Sequence, residues 1–286
     1  MSSRSSSVPQ VDRGEAVGRD TRAPVLIFLH LPKTAGSTVV RILEREYGSD
    51  AVLPLYDSTF GDEVAELAAD QATRTRVIAG HFYFGVHEHV RGRCRYFTFL
   101  REPIARIVSH YHFVRGQPKH YLHEAATNMS IGSYIEFCGA AEPNNDQTRL
   151  LAGRETASPD GTCTPEMLSV AKRNLDRHDV VGLTEEFDQS LLLLANAFDW
   201  RRPYYVKQNV SRRSGSREEL DDVTRAAIIA CNSLDVELYR YGRELFERQV
   251  AEHEALSREL RTFARANRLY GGLVRLRSAA RRARSE

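Results

Sequence analysis

A continuous apolar run, PVLIFLH at residues 24–30, is the first strong feature of the hydrophobic pattern. Such a run predicts a strand that is buried on both faces, as in a parallel sheet. Residues 37–47 follow after a short polar segment and place Val40, Leu43 and Tyr47 on one helical face. The chain is therefore predicted to open with a strand, a loop and a helix.

Strand and helix patterns alternate further along the chain. Strands are predicted at residues 76–79, 94–100, 179–183 and, as a short last strand, 204–206. Helices are predicted at residues 62–73, 103–115, 131–138, 146–151, 165–177 and 185–198. From residue 218 onward the pattern is almost entirely helical, with a break at Gly271 and Gly272. The alternation predicts an α/β fold, with a mainly parallel sheet flanked by helices.

Length and composition set broad limits on the protein. Its 286 residues, 42% of them hydrophobic, suffice for one large domain with an appended element. We predict a disordered, polar leader at 1–23, a main domain at 24–245 and a basic helical extension at 246–286. The net charge of +2 argues against general nucleic-acid binding, so any anion site should be local.

The cysteines and the hydropathy pattern bear on the compartment. None of the four cysteines lies in a CxxC pair, so no metal knuckle is predicted, and their small number fits a reducing compartment. The first residues contain no apolar signal segment, and no stretch reaches the ~18 apolar residues of a membrane span. We therefore expect a soluble, cytoplasmic protein.

The segment LPKTAGST, Leu31 to Thr38, lies between the first strand and the first helix. Backbone N–H groups and the helix dipole converge at such a junction and make an anion site. Lys33 adds a positive charge, the hydroxyl residues add donors, and Gly36 permits a tight turn. The segment is not a Walker-type P-loop, because its lysine precedes the glycine. The structural alternative is an ordinary turn with a surface lysine and a serine cap.

A second candidate anion site lies in YFTFLREPIARIVSHYHF, residues 96–113. Arg101 ends an apolar strand, and Ser109 lies in the helix that Pro103 opens. A guanidinium can bind a phosphate through two hydrogen bonds, and a serine hydroxyl can supply another. Arg106 lies on the same helical face as Ser109; its alternative role is to support the helix. Arg101 could instead pair with Glu102 or another acid.

These two segments resemble the 5′-phosphosulfate loop and the 3′-phosphate site of the carbohydrate sulfotransferase superfamily, in particular the heparan sulfate 2-O-sulfotransferases and their bacterial relatives. The resemblance covers residues 24–245 and implies a P-loop-NTPase-like core. It implies the donor 3′-phosphoadenosine 5′-phosphosulfate (PAPS), with 3′,5′-ADP as product. By resemblance, Arg101 and Ser109 bind the 3′-phosphate. The residues that would wrap the 5′-phosphosulfate are Lys33, Thr34, Ala35, Gly36, Ser37 and Thr38.

Three later segments resemble the same superfamily more weakly. Residues 144–153 (NNDQTRLLAG) resemble a segment near the acceptor site, which makes Arg149 the candidate acceptor-binding residue because a guanidinium suits carboxylate or sulfate groups. Residues 180–191 resemble a strand and the helix after it. Residues 206–213 (VKQNVSRR) resemble a late loop that closes over the nucleotide, which makes Ser211 a candidate donor-binding residue.

His81 is the candidate catalytic base. It follows a predicted strand and Gly80, and strand C-terminal ends in α/β sheets face the ligand crevice. A neutral imidazole can accept a proton near pH 7. The 2-O-sulfotransferases have a second histidine two positions earlier, where Ala79 stands here. The alternative is a histidine held by hydrogen bonds at the sheet edge.

These observations predict in-line transfer of a sulfuryl group from PAPS to a hydroxyl of a carbohydrate or glycolipid. Lys33 would stabilise the leaving oxygen, and no metal is predicted. The alternatives are a P-loop kinase or NTPase, and a non-catalytic protein that kept the nucleotide fold. The arginine-rich tail is typical either of an amphipathic helix on an anionic membrane surface or of a surface helix with a frayed end.

Overall fold

In a computed structural model of the chain, residues 23–56, 74–139, 142–156, 161–201, 203–206 and 220–282 are described. Three predicted features lie wholly or mostly outside these residues. They are the leader at 1–23, the helix at 62–73 and the late loop at 206–213, with Ser211 among its residues.

Within the described residues, five strands form one sheet in the order β2-β3-β1-β4-β5. All four strand pairings are parallel, which confirms the predicted fold class. The strands are β1 (Val25–Leu29), β2 (Val52–Leu55), β3 (Val77–Gly80), β4 (Cys94–Leu100) and β5 (His178–Leu183).

The apolar run at the start of the chain forms the central strand. Four of the five residues of β1 are buried, and Phe28 stacks on Phe97 of β4 with ring centroids 4.6 Å apart. Strand β2 was not predicted because its four residues are few and include a proline. It lies at the sheet edge, where Pro54 is exposed and its missing N–H costs no ladder bond.

Helices cover the sheet and continue to the end of the described chain. Most begin and end within two residues of their predicted bounds, and Glu102 caps one of them by accepting from the N–H groups of Ile104 and Ala105. The helices are α1 (Gly36–Tyr47), α2 (Pro103–Arg115), α3 (His123–Asn128), α4 (Ile131–Cys138), α5 (Asp146–Ala152), α6 (Pro165–Leu175), α7 (Phe187–Phe198), α8 (Asp222–Cys231), α9 (Ser233–Glu252) and α10 (Leu256–Arg282).

Two local predictions were wrong. Helix α10 continues through Gly271 and Gly272 without a break. The part of α10 that precedes these glycines contacts the domain and stabilises the helix. Residues 204–206 form no strand: the N–H of Tyr205 donates to Asn267 Oδ1 at 2.7 Å, so this backbone bonds to a helix.

The domain boundary predicted at 245/246 falls inside α9. No helix among the described residues combines the length and the apolarity needed to cross a membrane.

The sheet brings three strand ends to one edge. His30 follows β1, His81 follows β3 and Arg101 follows β4, and β1 lies between the other two. Because parallel neighbours end on the same side, these residues and the loop after β1 meet at the carboxyl edge of the sheet, where α/β proteins bind ligands.

Candidate active site

The loop between β1 and α1 contains two left-handed residues that are not glycine. Lys33 has a φ of 70° and Ala35 has a φ of 67°. Such conformations cost roughly 1–2 kcal/mol for residues with a side chain and concentrate at functional sites. When left-handed residues alternate with right-handed ones, successive backbone N–H groups point toward the same place. They then line a concavity that binds anions.

The first turn of α1 continues this concavity. Ala35 stands at the N-cap without a side-chain hydrogen bond to the turn, and the turn contains no acidic residue. An anion is therefore favoured there by the helix dipole. Ser37 is exposed, and Thr38 is buried. The buried hydroxyl of Thr34 donates to Leu31 O at 2.8 Å and so ties the loop to the end of β1. Contact of these three residues with PAPS stays a prediction.

Gly36 is required by a close contact. A Cβ atom at this position would lie 1.8 Å from His30 Nε2, so the imidazole of His30 occupies the space that any other residue would need. His30 is buried and stacks on Phe28 with centroids 5.2 Å apart. Burial, followed by the charges of His81 and Lys33, holds the pKa of His30 well below its ordinary value, so this ring is neutral.

Lys33 is a partly buried cation. Its Nζ lies 3.8 Å from the centroid of the Phe113 ring on α2, a cation–π contact. Burial, and secondarily the charge of Arg101, lower the pKa of Lys33 to about 8. Two cations held close together in this way favour the binding of an anion that neutralises both.

Arg101 links the loop to the second candidate anion site. Its Nη1 donates to the carbonyl oxygen of Lys33 at 2.9 Å. The backbone N–H and C=O of Arg101 both bond to the side-chain amide of Gln147, each at 3.0 Å. The Nε atom of Arg101 is buried without a hydrogen-bond partner among the described residues. A buried donor of this kind calls for an acceptor, and a phosphate oxygen is a suitable one.

Arg106 and Ser109 have different surroundings on α2. Ser109 is half-buried, and its contact with a 3′-phosphate stays a prediction. Arg106 is fully buried and lies 3.5 Å from both Asp146 Oδ2 and Asp235 Oδ2. It also donates to the carbonyl oxygen of Pro143. Arg106 therefore holds α2 against α5 and α9, the supporting role that the sequence left open.

His81 is oriented by the end of β1. Its Nδ1 lies 2.6 Å from the carbonyl oxygen of His30, and because a carbonyl only accepts, Nδ1 carries the proton. The Nε2 atom of the neutral ring is then the proton acceptor. Burial lowers the pKa of His81 most, and the charge of Lys33 lowers it further, against the raising effects of the His30 bond and Glu142. The side chain is half-buried and unprotonated near pH 7.

Tyr56 was missed by the sequence reasoning. Its hydroxyl lies 3.2 Å from His30 Nδ1, and its ring meets the ring of His81 edge to face at 4.9 Å. Tyr56 follows β2, so its place at the carboxyl edge could have been predicted only if that short strand had been recognised. His30, Tyr56 and His81 form one aromatic cluster beside the loop.

Arg149, the candidate acceptor-binding residue, lies in α5. Its guanidinium is buried, donates to Asn144 O at 2.7 Å and lies 3.4 Å from Asp146 Oδ1. These contacts fix the turn that starts α5. Binding of an acceptor by Arg149 stays a prediction.

A further polar cluster lies near Phe113. His110, His120 and Glu142 bring one potential ligand atom each within 4.8 Å of one another. The pair His110 Nε2 and Glu142 Oε1 is 3.0 Å apart, and the Leu122 N–H donates to His120 Nδ1 at 3.2 Å. A neutral imidazole has one lone pair, and that of His120 is taken by this bond. His110 and Glu142 therefore form a hydrogen-bonded pair. Burial raises the pKa of Glu142, but the bond and charge of His110 outweigh it, so that this pKa is lowered.

Comparisons with known proteins place the chain beside sulfotransferases. The sequence model described as "Sulfotransferase family" matches residues 20–242. Heparan-sulfate 6-O-sulfotransferase 1 of Homo sapiens is 30% identical in a match that covers 57% of this chain and 46% of that protein. Heparan-sulfate 6-O-sulfotransferase 1-B of Danio rerio is 28% identical in a match that covers 82% of this chain and 69% of that protein.

The chain spans about half the length of most curated relatives it matches; heparan-sulfate 6-O-sulfotransferase 2 of Gallus gallus, for example, is covered to 44%. The relatives are 6-O-sulfotransferases, whereas the motifs resemble the 2-O group. The solved structure of mouse sulfotransferase SULT7A1 complexed with PAP covers 86% of this chain and 90% of its own at a TM-score of 0.41 and 12% identity. A likeness this low has no bearing on the site.

Proposed function

Because the chain belongs to the sulfotransferase family, we propose that it transfers a sulfuryl group from PAPS to a hydroxyl group of a saccharide. The observation that carries this proposal is the coupling of three residues. Arg101 donates to the carbonyl oxygen of Lys33 at 2.9 Å, and His81 is held by the carbonyl oxygen of His30, at the start of the same loop. The pKa of His81 is lowered first by burial and, to a smaller extent, by the charge of Lys33. A base, a leaving-group cation and a second cation thus meet at one sheet edge.

The donor fits the residues present. The concavity formed by the left-handed residues Lys33 and Ala35 and the first turn of α1 suits the 5′-phosphosulfate. The unpartnered Nε of Arg101 suits the 3′-phosphate, which distinguishes PAPS from ATP. A cleft of about 370 Å³ between α1 and α10 runs from Thr38 past Tyr205 and Val206.

The transfer step uses His81 and Lys33. The acceptor oxygen forms a bond to sulfur as the bond from sulfur to the 5′-phosphate oxygen breaks, and that electron pair stays on 3′,5′-ADP. The hydroxyl proton passes to His81 Nε2. Lys33 stabilises the negative charge that develops on the departing oxygen. Backbone N–H groups of the loop with the left-handed residues Lys33 and Ala35 would donate to the sulfuryl oxygens and share this stabilisation.

A saccharide acceptor is supported by the relatives, whose names give heparan sulfate as the molecule they act on. The finer choice is between a free saccharide and a glycolipid. Both present a sugar hydroxyl to His81, so the residues of the transfer centre serve either acceptor. The candidate Arg149, which donates to Asn144 O, would bind a carboxylate or sulfate of the sugar through its guanidinium.

The test compares donors and variants. Labelled PAPS and ATP are each incubated with a panel of saccharides and glycolipids, and calorimetry measures binding of 3′,5′-ADP. We expect transfer from PAPS alone. The variant Lys33→Ala should lower kcat by about 10²–10³-fold, the range for losing one stabiliser of transition-state charge. The matched control is Lys172→Ala, which removes a lysine that pairs with Glu237 on the surface.

Two results would contradict the proposal. Transfer of phosphate from ATP would make the protein a kinase. Absence of heat with 3′,5′-ADP, from a protein whose circular dichroism shows the expected helix content, would exclude the donor itself.

A further inference from the structure

Helix α10 contacts the domain along one face. Phe263 is buried and stacks on Tyr204 with ring centroids 5.7 Å apart. Asn267 accepts from the Tyr205 N–H at 2.7 Å, and the hydroxyl of Tyr270 accepts from Arg45 at 2.9 Å. These anchors recur every three or four residues, so they form one helical stripe and fix the rotation of α10 about its axis.

A second stripe on α10 is apolar and exposed. The exposed fractions of Leu269, Leu273 and Leu276 are 72%, 58% and 69%. Their spacing of four and three residues places them on one face, about a third of a turn from the docked stripe, over a length of about 10 Å. Among the described residues, nothing covers these side chains. Three leucines held in water on one helix are costly, and such a patch marks an interaction surface.

A third sector of α10 is basic. The helix contains eight arginines and one acidic residue, Glu259, whose carboxylate lies 2.9 Å from His253 Nε2. A groove beside Leu269 is lined by Thr262, Ala266 and arginine side chains. The exposed arginines flank the leucine stripe, most of them on the side away from the docked face; they are Arg258, Arg261, Arg265, Arg268, Arg275 and Arg277.

We propose that the outer face of α10 binds the surface of an anionic lipid bilayer. The leucine stripe would enter the boundary between headgroups and acyl chains, and the arginines would meet the lipid phosphates and carboxylates. Charge complementarity selects this occupant, because a protein partner for the leucines alone would not require a flanking row of arginines. The docked stripe keeps α10 attached to α1 and residues 204–205, so the membrane would lie beside the domain that carries the site.

The test is vesicle flotation of the full chain. Vesicles of phosphatidylcholine alone are compared with vesicles that contain phosphatidylserine, at increasing salt. We expect binding to the anionic vesicles only, weakening as salt rises because ionic screening shortens the reach of the arginines. The variant Leu269→Ser, Leu273→Ser, Leu276→Ser should weaken binding at least about tenfold. Replacing Arg258, Arg261 and Arg265 by Gln should also weaken it and flatten the salt dependence.

The matched control is Val223→Ser, Ile229→Ser, which removes two exposed apolar side chains from α8 and should bind as the wild type does. Binding of 3′,5′-ADP by each variant reports that the domain remains folded, and flotation does not depend on transfer. Equal flotation with neutral and anionic vesicles, or wild-type binding by the leucine variant, overturns the proposal. Self-association that the leucine variant abolishes, without vesicle binding, would make this face an interface between copies.

Discussion

The imidazole of His81 bonds through Nδ1 to the backbone carbonyl oxygen of His30 at 2.6 Å. This bond joins the residue after β3 to the residue after β1, the strand that leads into the loop at residues 31–38. The candidate base is thereby oriented by the backbone that begins this candidate donor-binding loop. Its Nε2 points away from that carbonyl, because the two ring nitrogens are separated by Cε1 and face outward in different directions.

Removal of the His81 imidazole should abolish most of the transfer. For His81→Asn we expect kcat to fall by about 10²–10⁴-fold, the usual contribution of a positioned general base, with 3′,5′-ADP binding retained. Stopped assays with labelled PAPS measure kcat, and calorimetry measures binding. His89→Asn is the control, since His89 is exposed on a short turn. A kcat within twofold of the wild type would exclude His81 as the base.

The pH profile of kcat/KM should be bell-shaped. His81 must be unprotonated, and burial lowers its pKa from the ordinary 6.5, so the acidic limb should lie below that value. Lys33 must be protonated, and its pKa is about 8, so the rate should fall as the pH rises through about 8. In Lys33→Arg the basic limb should move to higher pH because a guanidinium stays charged. An unmoved limb would assign it to another group.

Gly36 should not tolerate a side chain. In Gly36→Ala the new Cβ would overlap the His30 ring, from which it would be 1.8 Å away. We expect binding of 3′,5′-ADP to weaken by roughly tenfold or more as the loop shifts. Adding His30→Ala removes the obstructing ring and should restore part of the affinity. Gly132→Ala, whose Cβ would meet its nearest neighbour at an ordinary 3.5 Å, should bind normally.

Asp235 should be a major contributor to stability. It is fully buried, lies 3.5 Å from Arg106 and accepts from the N–H and the hydroxyl of Thr148, each at 2.8 Å. Asp235→Ala would leave a buried guanidinium and two buried donors poorly paired, at a cost of about 3–5 kcal/mol in the free energy of unfolding. Urea unfolding measures this loss.

The control for Asp235 is Glu247→Ala, which breaks an exposed pair with Arg243 and should cost less than about 1 kcal/mol. If Asp235→Ala gives too little folded protein, Asp235→Asn retains one acceptor oxygen and should still be destabilised measurably. Equal stabilities of the Asp235 and Glu247 variants would contradict a structural role for the buried network.

Local pattern predicted much of the fold. The bounds of β4, α2 and α4 follow from features within a few residues: an apolar run, a proline at the first helical position, and a serine cap. Strand β2 and helix α3 carried too few residues to give a pattern. The uninterrupted α10 contradicted a local signal, since docking of the residues that precede the two glycines outweighs the roughly 1 kcal/mol that each glycine costs a helix.

The sequence by itself determined which side chains could serve the chemistry: Lys33 in its loop, Arg101 at a strand end, and His81 after a glycine. The sequence was sufficient for this because the position of a loop or a strand end depends mainly on residues that are neighbours in the chain. Only the tertiary structure decided their partners. Arg106 meets Asp235 across 129 positions, and Tyr56 meets His30 through an edge strand. Contacts between distant segments arise from packing of the whole sheet, which no local window contains.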